Sequence, residues 1–159
     1  MLVWLDNHTA LDFVFRNLRA LIEAGVYERV LVETFIGCQH NWSQWPIHIL
    51  HMMFNAGDKG KVLSYAQPAP GGFPLTVYRG VAGIGKQRRI RGLSWTTDLD
   101  MARWFAERSS QAYGLKSPAA YEAQVEQDQF YGYYPDNRGE HEVICIMPSD
   151  HPVKVAWKE

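Results

Sequence analysis

The feature that most constrains the fold is a change of hydrophobic periodicity at a linker rich in turn residues, Pro68-Ala69-Pro70-Gly71-Gly72-Phe73-Pro74. Before this linker, apolar residues recur at helical spacing, and after it the pattern becomes extended. The sequence therefore predicts an α+β chain, helical over residues 1–66 and mostly β over residues 75–159. Because 159 residues with 47% hydrophobic content suit one core, we expect a single domain over residues 1–159, in which the linker marks a change of layer.

Three helices are predicted before the linker. The first runs from Thr9 to Ala24 with Gly25 as its stop signal, and the second is shorter and covers residues 26–35. The third begins at Ser43 as its N-cap and runs to about Asn55, followed by a break.

After the linker, the pattern predicts strands over residues 75–78, 119–127, 143–147 and 153–157. A helix is expected behind Thr97, which is a good N-cap residue with Asp100 three places on. An aromatic-rich loop is expected over residues 128–139.

Composition restricts the partners. The chain has 16 basic and 17 acidic residues, so no overall charge recruits nucleic acid or an anionic membrane. The two cysteines, Cys38 and Cys145, form no disulfide framework and indicate buried thiols in a reducing compartment, with the cytoplasm as the default. The N-terminus shows no basic leader with an apolar stretch, and no segment reaches the length that spans a bilayer, so we expect no membrane association.

Three short segments carry chemistry. Ser94 and Thr96 put small hydroxyls on a predicted turn before the helix, which alone is only a helix cap. Arg79, expected at or near a strand end beside Gly80, suits a bidentate grip on phosphate or carboxylate and suits a structural ion pair equally well. In Glu140-His141-Glu142, strand alternation predicts two carboxylates on one face, so that one titrates abnormally or pairs with a cation.

Taken together and in this order, Tyr78-Arg79-Gly80, Ser94-Trp95-Thr96 and Glu140-His141-Glu142 resemble the motifs of the R-S-E class of mono-ADP-ribosyltransferases. This class includes arginine-modifying bacterial toxins, vertebrate ecto-enzymes and phage enzymes. The second motif reads Ser-Trp-Thr where the family usually has Ser-Thr-Ser. The motifs span residues 75–147, under half of the chain.

The resemblance implies a split β-sandwich that binds NAD between its sheets and transfers ADP-ribose to an arginine of a target protein, releasing nicotinamide without a metal. Glu142 would stabilise the oxocarbenium-like ribose. Arg79 would hold a pyrophosphate or ribose oxygen. Ser94 would form a hydrogen bond with Glu142 or with the ribose, and Thr96 would support the turn. Further NAD contacts are expected at the following residues: Tyr78, Gly80, Trp95, Phe105 and Trp104.

The resemblance also makes Glu140 the specificity residue. A glutamate at this position goes with arginine as the acceptor, since a guanidinium is a poor nucleophile unless a base takes its proton. The tyrosines of the preceding loop, Tyr131, Tyr133 and Tyr134, would recognise the target protein. A toxin or phage effector acting in the cytoplasm is the expected context.

Several alternatives stay open from the sequence. A protein of the same fold could be an NAD glycohydrolase. It could also transfer ADP-ribose to nucleic acid, although we expect no nucleic-acid partner. The binding surface would then be a basic segment that comprises Lys86, Arg88, Arg89 and Arg91. The helical part could instead make the chain a non-enzymatic adaptor or inhibitor. A zinc site is a weaker rival, with these ligands: Cys38, His40, His48 and His51.

Overall fold

A computed structural model describes residues 9–37, 45–146 and 148–157. Its contacts divide the chain into two compact units, Met1–Ala66 and Gln67–Glu159. The division falls at the end of the predicted helical part, before the linker that we expected to be only a change of layer within one domain. Four residues of the sequence predictions lie outside the described residues: Cys38, His40, Ser43 and Met147. Ser43 is the predicted N-cap of the third helix.

The first unit is helical, with described helices α1 (Ala10–Arg16), α2 (Leu18–Glu23), α3 (Tyr27–Gly37), α4 (Ile47–Ala56) and α5 (Lys59–Ser64). The expectation of one continuous helix up to Ala24 is wrong, because Asn17 has non-helical dihedrals, φ −106° and ψ 15°. Its side chain donates to Phe13 O at 2.8 Å, which is how asparagine competes with a helical backbone. Gly25, with φ +69°, follows the end of α2 as predicted.

Helix α5 was not predicted, because Gly57 and Gly60 suggested a break. Asp58 starts this helix by accepting a hydrogen bond from Lys61 N at 3.0 Å. A buried carboxylate, Glu28 on α3, accepts from Asp58 N at 2.8 Å and fixes the turn before α5. Caps of this kind satisfy backbone donors that a helix start leaves open.

The second unit contains strands β1 (Leu75–Val81), β2 (Ser94–Thr96), β3 (Ala119–Val125), β4 (Phe130–Tyr134), β5 (Glu142–Cys145) and β6 (Val153–Val155), with helix α6 (Leu99–Tyr113). The six described strands form one sheet of order β4-β5-β2-β1-β3-β6, and every neighbouring pair is antiparallel. The α+β prediction is therefore confirmed. The three motifs lie on or beside β1, β2 and β5, which are neighbours at the centre of the sheet.

Several predicted boundaries in this unit are wrong. β1 continues to Val81, beyond the predicted limit at Tyr78, so Arg79 and Gly80 belong to the strand and lie near its end, as expected. Ser94–Thr96 is a strand and not a turn, because it pairs with β1 on one side and β5 on the other. Residues 130–134 form β4, whereas the aromatic content suggested a loop.

Helix α6 packs closely on β1 at Gly80. A Cβ atom built on Gly80 would lie 1.7 Å from Ala102 O and 2.8 Å from Ala106 N, and Ala102 and Ala106 are fully buried. Only a glycine allows a strand and a helix backbone to approach this closely. The N-cap is Asp98, whose side chain accepts from Asp100 N and Met101 N, and not Thr97 as predicted. No helix among the described residues has the length and apolar character needed to cross a membrane.

Candidate active site

A row of cross-strand neighbours contains one residue from each of the three motifs. Tyr134, Glu142, Thr96 and Tyr78 lie opposite one another on β4, β5, β2 and β1. Directly opposed residues of antiparallel strands project their side chains from the same face of the sheet. The row therefore gives the hydroxyl motif and the carboxylate motif a common face.

Glu142 is held through both of its carboxylate oxygens. Ser94 Oγ donates to Oε1 at 2.6 Å, and Asn137 Nδ2 donates to Oε2 at 3.1 Å. The residue is only 5% exposed. A buried carboxylate that accepts hydrogen bonds on both oxygens has a fixed orientation. The contact that we predicted between Ser94 and Glu142 is present.

The environment of Glu142 changes its acidity in opposing directions. Burial raises the pKa of its carboxyl above the ordinary value, and the charge of Glu140 adds to this rise. The hydrogen bonds from Ser94 and Asn137 lower the pKa, as does the charge of Arg138, without cancelling the effect of burial. Glu142 thus has the abnormal pKa that we expected of one glutamate in the motif, and burial is its main cause.

Glu140 lies just before the strand and does not follow its alternation. His141 adopts a left-handed conformation with φ +49°, and β5 begins only at Glu142. We predicted that Glu140 and Glu142 share a face because strand alternation would apply to both. That reasoning is wrong, since Glu140 is not part of the strand. The predicted cation is present, since Arg138 Nε and Nη2 donate to the two carboxylate oxygens of Glu140 at 2.8 and 3.0 Å.

The loop of residues 135–141, here called the β4–β5 loop, is tied to β2 through its main chain. Thr96 Oγ1 donates to Glu140 O at 2.8 Å, and Thr97 N donates to His141 O at 3.2 Å. The ring of His141 stacks on that of Tyr133, with Nδ1 3.0 Å from the tyrosine hydroxyl. These contacts fix the two glutamates relative to the hydroxyl motif.

Arg79 reaches the main chain of the hydroxyl motif. Its Nη1 donates to Ser94 O at 2.6 Å, and a Cβ on Gly92 would lie 2.6 Å from its guanidinium atoms. Burial lowers the pKa of Arg79 to about 10, which leaves it charged at neutral pH. Alternation along β1 directs its side chain away from the face of Tyr78, and so away from the face of Glu142. Its predicted contact with a phosphate or ribose stays a prediction.

The aromatic residues of the predicted site fall into two groups. Trp95 is 3% exposed and donates Nε1 to Gly92 O at 2.8 Å, so it belongs to the core. Trp104 is exposed, has its ring centroid 5.1 Å from that of Phe105, and carries the Arg108 guanidinium 5.0 Å from its own ring. Phe105 is half-buried on α6. The nicotinamide-binding role of these rings remains a prediction.

The three tyrosines that we expected in a recognition loop lie in strand β4 instead. Tyr131 and Tyr134 are each only 7% exposed, and Tyr133 is half-buried against His141. Buried rings offer little surface to a target protein. Their role in target recognition is untested and stays a prediction.

Two residues of the site were missed by the sequence analysis. Asn137 lies five positions before Glu142, and no local pattern showed that the loop would return it to the carboxylate. Tyr134 was assigned to recognition, yet its buried hydroxyl has no hydrogen-bond partner among the described residues. Burial and the charge of Glu142 both raise the pKa of Tyr134, so the hydroxyl stays protonated next to the carboxylate.

The basic segment is partly folded inward. Arg88 donates to Gly83 O at 2.9 Å, to the Tyr121 hydroxyl at 3.2 Å and to Ser117 O. A guanidinium engaged by three protein oxygens is poorly available to a phosphate backbone. Arg88 is thus engaged within the protein, and the nucleic-acid alternative stays a prediction.

The rival zinc set is described only in part. His48 and His51 lie on α4, whereas Cys38 and His40 are outside the described residues. Among the residues that the structure describes, no group of three or more histidine, cysteine, aspartate or glutamate side chains is placed to hold a metal ion.

Comparison of the chain with protein-family models, with curated proteins and with solved structures gives no significant match. The functional interpretation therefore rests on the side-chain geometry of the β unit.

Proposed function

We propose that the protein is an NAD-dependent mono-ADP-ribosyltransferase that modifies an arginine of a target protein and releases nicotinamide. The observation that carries this proposal is the 2.6 Å contact from Ser94 Oγ to the buried carboxylate of Glu142. We further propose that the six-stranded sheet is the core of a split β-sandwich with NAD in its cleft, and that the reaction takes place in the cytoplasm.

Glu142 is the residue to which we assign the chemistry. Cleavage of the bond between ribose and nicotinamide leaves positive charge at C1′ of the ribose, and an adjacent carboxylate stabilises that charge. Ser94 and Asn137 hold the carboxylate in one orientation before substrate arrives, so little reorganisation is needed during the reaction. The low exposure of Glu142 strengthens its electrostatic effect.

Tyr134 supports a polar ligand beside Glu142. A buried hydroxyl without a partner costs free energy, about 1–3 kcal/mol for a neutral group, unless a ligand or water satisfies it. A ribose hydroxyl next to the carboxylate would provide this partner. Two further residues of the same row, Tyr78 and Thr96, complete the proposed NAD site. Gly80 is not included, because the backbone of α6 covers it.

Glu140 supports arginine as the acceptor. Its carboxylate already receives a guanidinium through two parallel hydrogen bonds, from Arg138, which shows that its surroundings admit this group. A carboxylate in such a position can take a proton from the guanidinium nitrogen as the new bond to ribose forms. Water needs no such bidentate acceptor, so this feature favours transfer over simple hydrolysis of NAD.

Arg79 receives a supporting role in this proposal. By holding Ser94 O at 2.6 Å, it fixes β2 at the residue whose side chain orients Glu142. It acts through Ser94 and not on the reacting bond.

The test is turnover of NAD labelled in its adenylate part, with a cell lysate as the source of target proteins. The wild type should release nicotinamide and label protein. Glu142→Gln should lower the rate by about 100-fold or more, the size of effect found when one preorganised electrostatic group is removed.

Glu33→Gln is the matched control, because the Glu33 carboxylate also accepts a hydrogen bond, from Arg29 Nε at 2.8 Å, but lies on α3 of the helical unit and has no part in the proposed site. We expect this variant to retain near wild-type turnover. Absence of NAD turnover by the wild type, together with no heat of NAD binding in calorimetry, would leave the adaptor alternative and refute the proposal. Free ADP-ribose without labelled protein would indicate an NAD glycohydrolase.

A further inference from the structure

The β4–β5 loop carries its own guanidinium to the glutamate that we assign to acceptor binding. Arg138 Nε lies 2.8 Å from Glu140 Oε1, and Nη2 lies 3.0 Å from Oε2. Two parallel hydrogen bonds of this kind define the position and the plane of a guanidinium. An arginine side chain of this chain thus occupies the place that an arginine of a target protein would take.

The backbone of the loop produces this arrangement. Arg138 has φ +54° and Gly139 has φ +67°, both in the left-handed region. Residues other than glycine rarely adopt this conformation, which costs of order 1–3 kcal/mol unless the surroundings enforce it. The reversal brings the side chain of Arg138 onto a carboxylate only two residues ahead.

Arg138 is also close to the second glutamate of the motif. The negative charge of Glu142 raises the pKa of Arg138, and the positive charge of Arg138 lowers that of Glu142. The Arg138 side chain is 34% exposed while it makes the ion pair. It is therefore accessible and lies within the electrostatic reach of both carboxylates.

We propose that Arg138 is a modification site of this protein and accepts ADP-ribose from NAD bound at Glu142 of the same chain. The inference rests on the proposed function. A bond forms between Nη2 of Arg138 and C1′ of the ribose, and the bond from C1′ to the nicotinamide nitrogen breaks. Nicotinamide leaves with the electron pair of the broken bond. The proton lost by Nη2 passes to Glu140, whose Oε2 already accepts its hydrogen bond, and then to solvent.

The experiment incubates the purified chain with NAD alone and maps the product by peptide mass spectrometry. We expect one ADP-ribose per chain, on Arg138, formed at a rate per molecule that is independent of protein concentration. Arg138→Lys should lose this label, because an ammonium replaces the reacting guanidinium while the positive charge remains.

The control is Arg29→Lys, since Arg29 on α3 also pairs with a glutamate, Glu33, at 2.8 Å but has no part in the proposed site. This variant should label itself on Arg138 like the wild type. Agmatine, a small guanidinium compound, serves as a separate acceptor. It should be modified by the wild type and by Arg138→Lys, and at high concentration it should suppress the self-labelling of the wild type, because both guanidinium groups require Glu140.

The outcomes separate the two proposals. If agmatine is modified but Arg138 carries no label, or if label lies on other residues, the self-modification site is refuted and the transferase activity stands. A self-labelling rate that increases with protein concentration refutes transfer within one chain. If neither NAD turnover nor agmatine modification occurs, both proposals fail together.

Discussion

Removal of one hydroxyl, by Ser94→Ala, tests the central contact of the candidate site. Ser94 Oγ donates at 2.6 Å to a carboxylate that is 5% exposed. The substitution does not remove the main-chain oxygen Ser94 O, so the hydrogen bond that Arg79 donates to it is kept. The effect therefore reports the side-chain contact with Glu142 alone.

The expected magnitude follows from the charge of the acceptor. Hydrogen bonds to charged groups contribute about 1.5–3 kcal/mol, against about 0.5–1.5 kcal/mol for neutral pairs. At 1.36 kcal/mol per factor of ten, a loss of this size lowers kcat/KM for NAD by about 10- to 150-fold. The pKa of Glu142 should rise further in the variant, because the Ser94 contact is the strongest of the effects that lower it.

The assay has two parts, of which one is independent of the proposed activity. Urea unfolding of the wild type, Ser94→Ala, Glu142→Gln and the double variant at pH 7 forms a double-mutant cycle. Because the amide oxygen of Glu142→Gln can still accept from Ser94, we expect a coupling free energy of about 1–1.5 kcal/mol, the difference between a charged and a neutral hydrogen bond. The second part measures kcat/KM for nicotinamide release against pH, where the acidic limb should move to higher pH in Ser94→Ala.

Ser64→Ala is the matched control, because its hydroxyl also donates at 2.6 Å, but to the neutral and exposed Lys61 O. It should cost no more than a neutral hydrogen bond does. A coupling free energy near zero between Ser94 and Glu142, or an equal loss of stability in both serine variants, would refute the reasoning from a buried charged acceptor.

Three further predictions concern the β unit. Gly80→Ala should prevent folding or lower the free energy of unfolding by several kcal/mol in urea titrations, because the new Cβ would lie 1.7 Å from Ala102 O. Gly37→Ala is the control and should be nearly neutral, because the space around Gly37 is open. The raised pKa of Glu142 means that its contribution to stability is fully present below its unfolded pKa and is lost as pH rises through the folded pKa. In urea titrations, Glu142→Gln should therefore gain stability relative to wild type as pH rises above the ordinary carboxyl pKa of 4.5. Burial raises the pKa of the Cys145 thiol, so iodoacetamide at pH 8 should modify it, in a Cys38→Ser background, only after unfolding.

Elements with strong periodicity were predictable and short paired elements were not. β1, β3, β5 and α6 follow apolar patterns that are visible along the chain. β2 has only three residues and is a strand because β1 and β5 flank it. β4 contains a glycine at which the register shifts. Its run of aromatic residues did not by itself distinguish a strand from a loop. Such strands depend on partners that are distant in sequence, which local propensity does not show.

The candidate site was predictable to a similar extent. Ser94 and Glu142 were expected to meet because each stands in a recognised motif, and they do. Asn137 reaches Glu142 only because the loop adopts left-handed conformations at Arg138, Gly139 and His141, and for residues other than glycine nothing local predicts these. The contact of Arg79 with a backbone carbonyl was also invisible, because motif reasoning considers side chains.

The pairing of β2 with β5 joins residues that are 48 positions apart at Ser94 and Glu142. Closing so long a segment carries an entropic cost that only the completed strand ladder repays. A chain shortened before residue 142, or stalled during synthesis before β5 emerges, would therefore possess Arg79 and Ser94 but lack the carboxylate that Ser94 binds. The central contact of the candidate site thus forms only after almost the whole β unit has been synthesised.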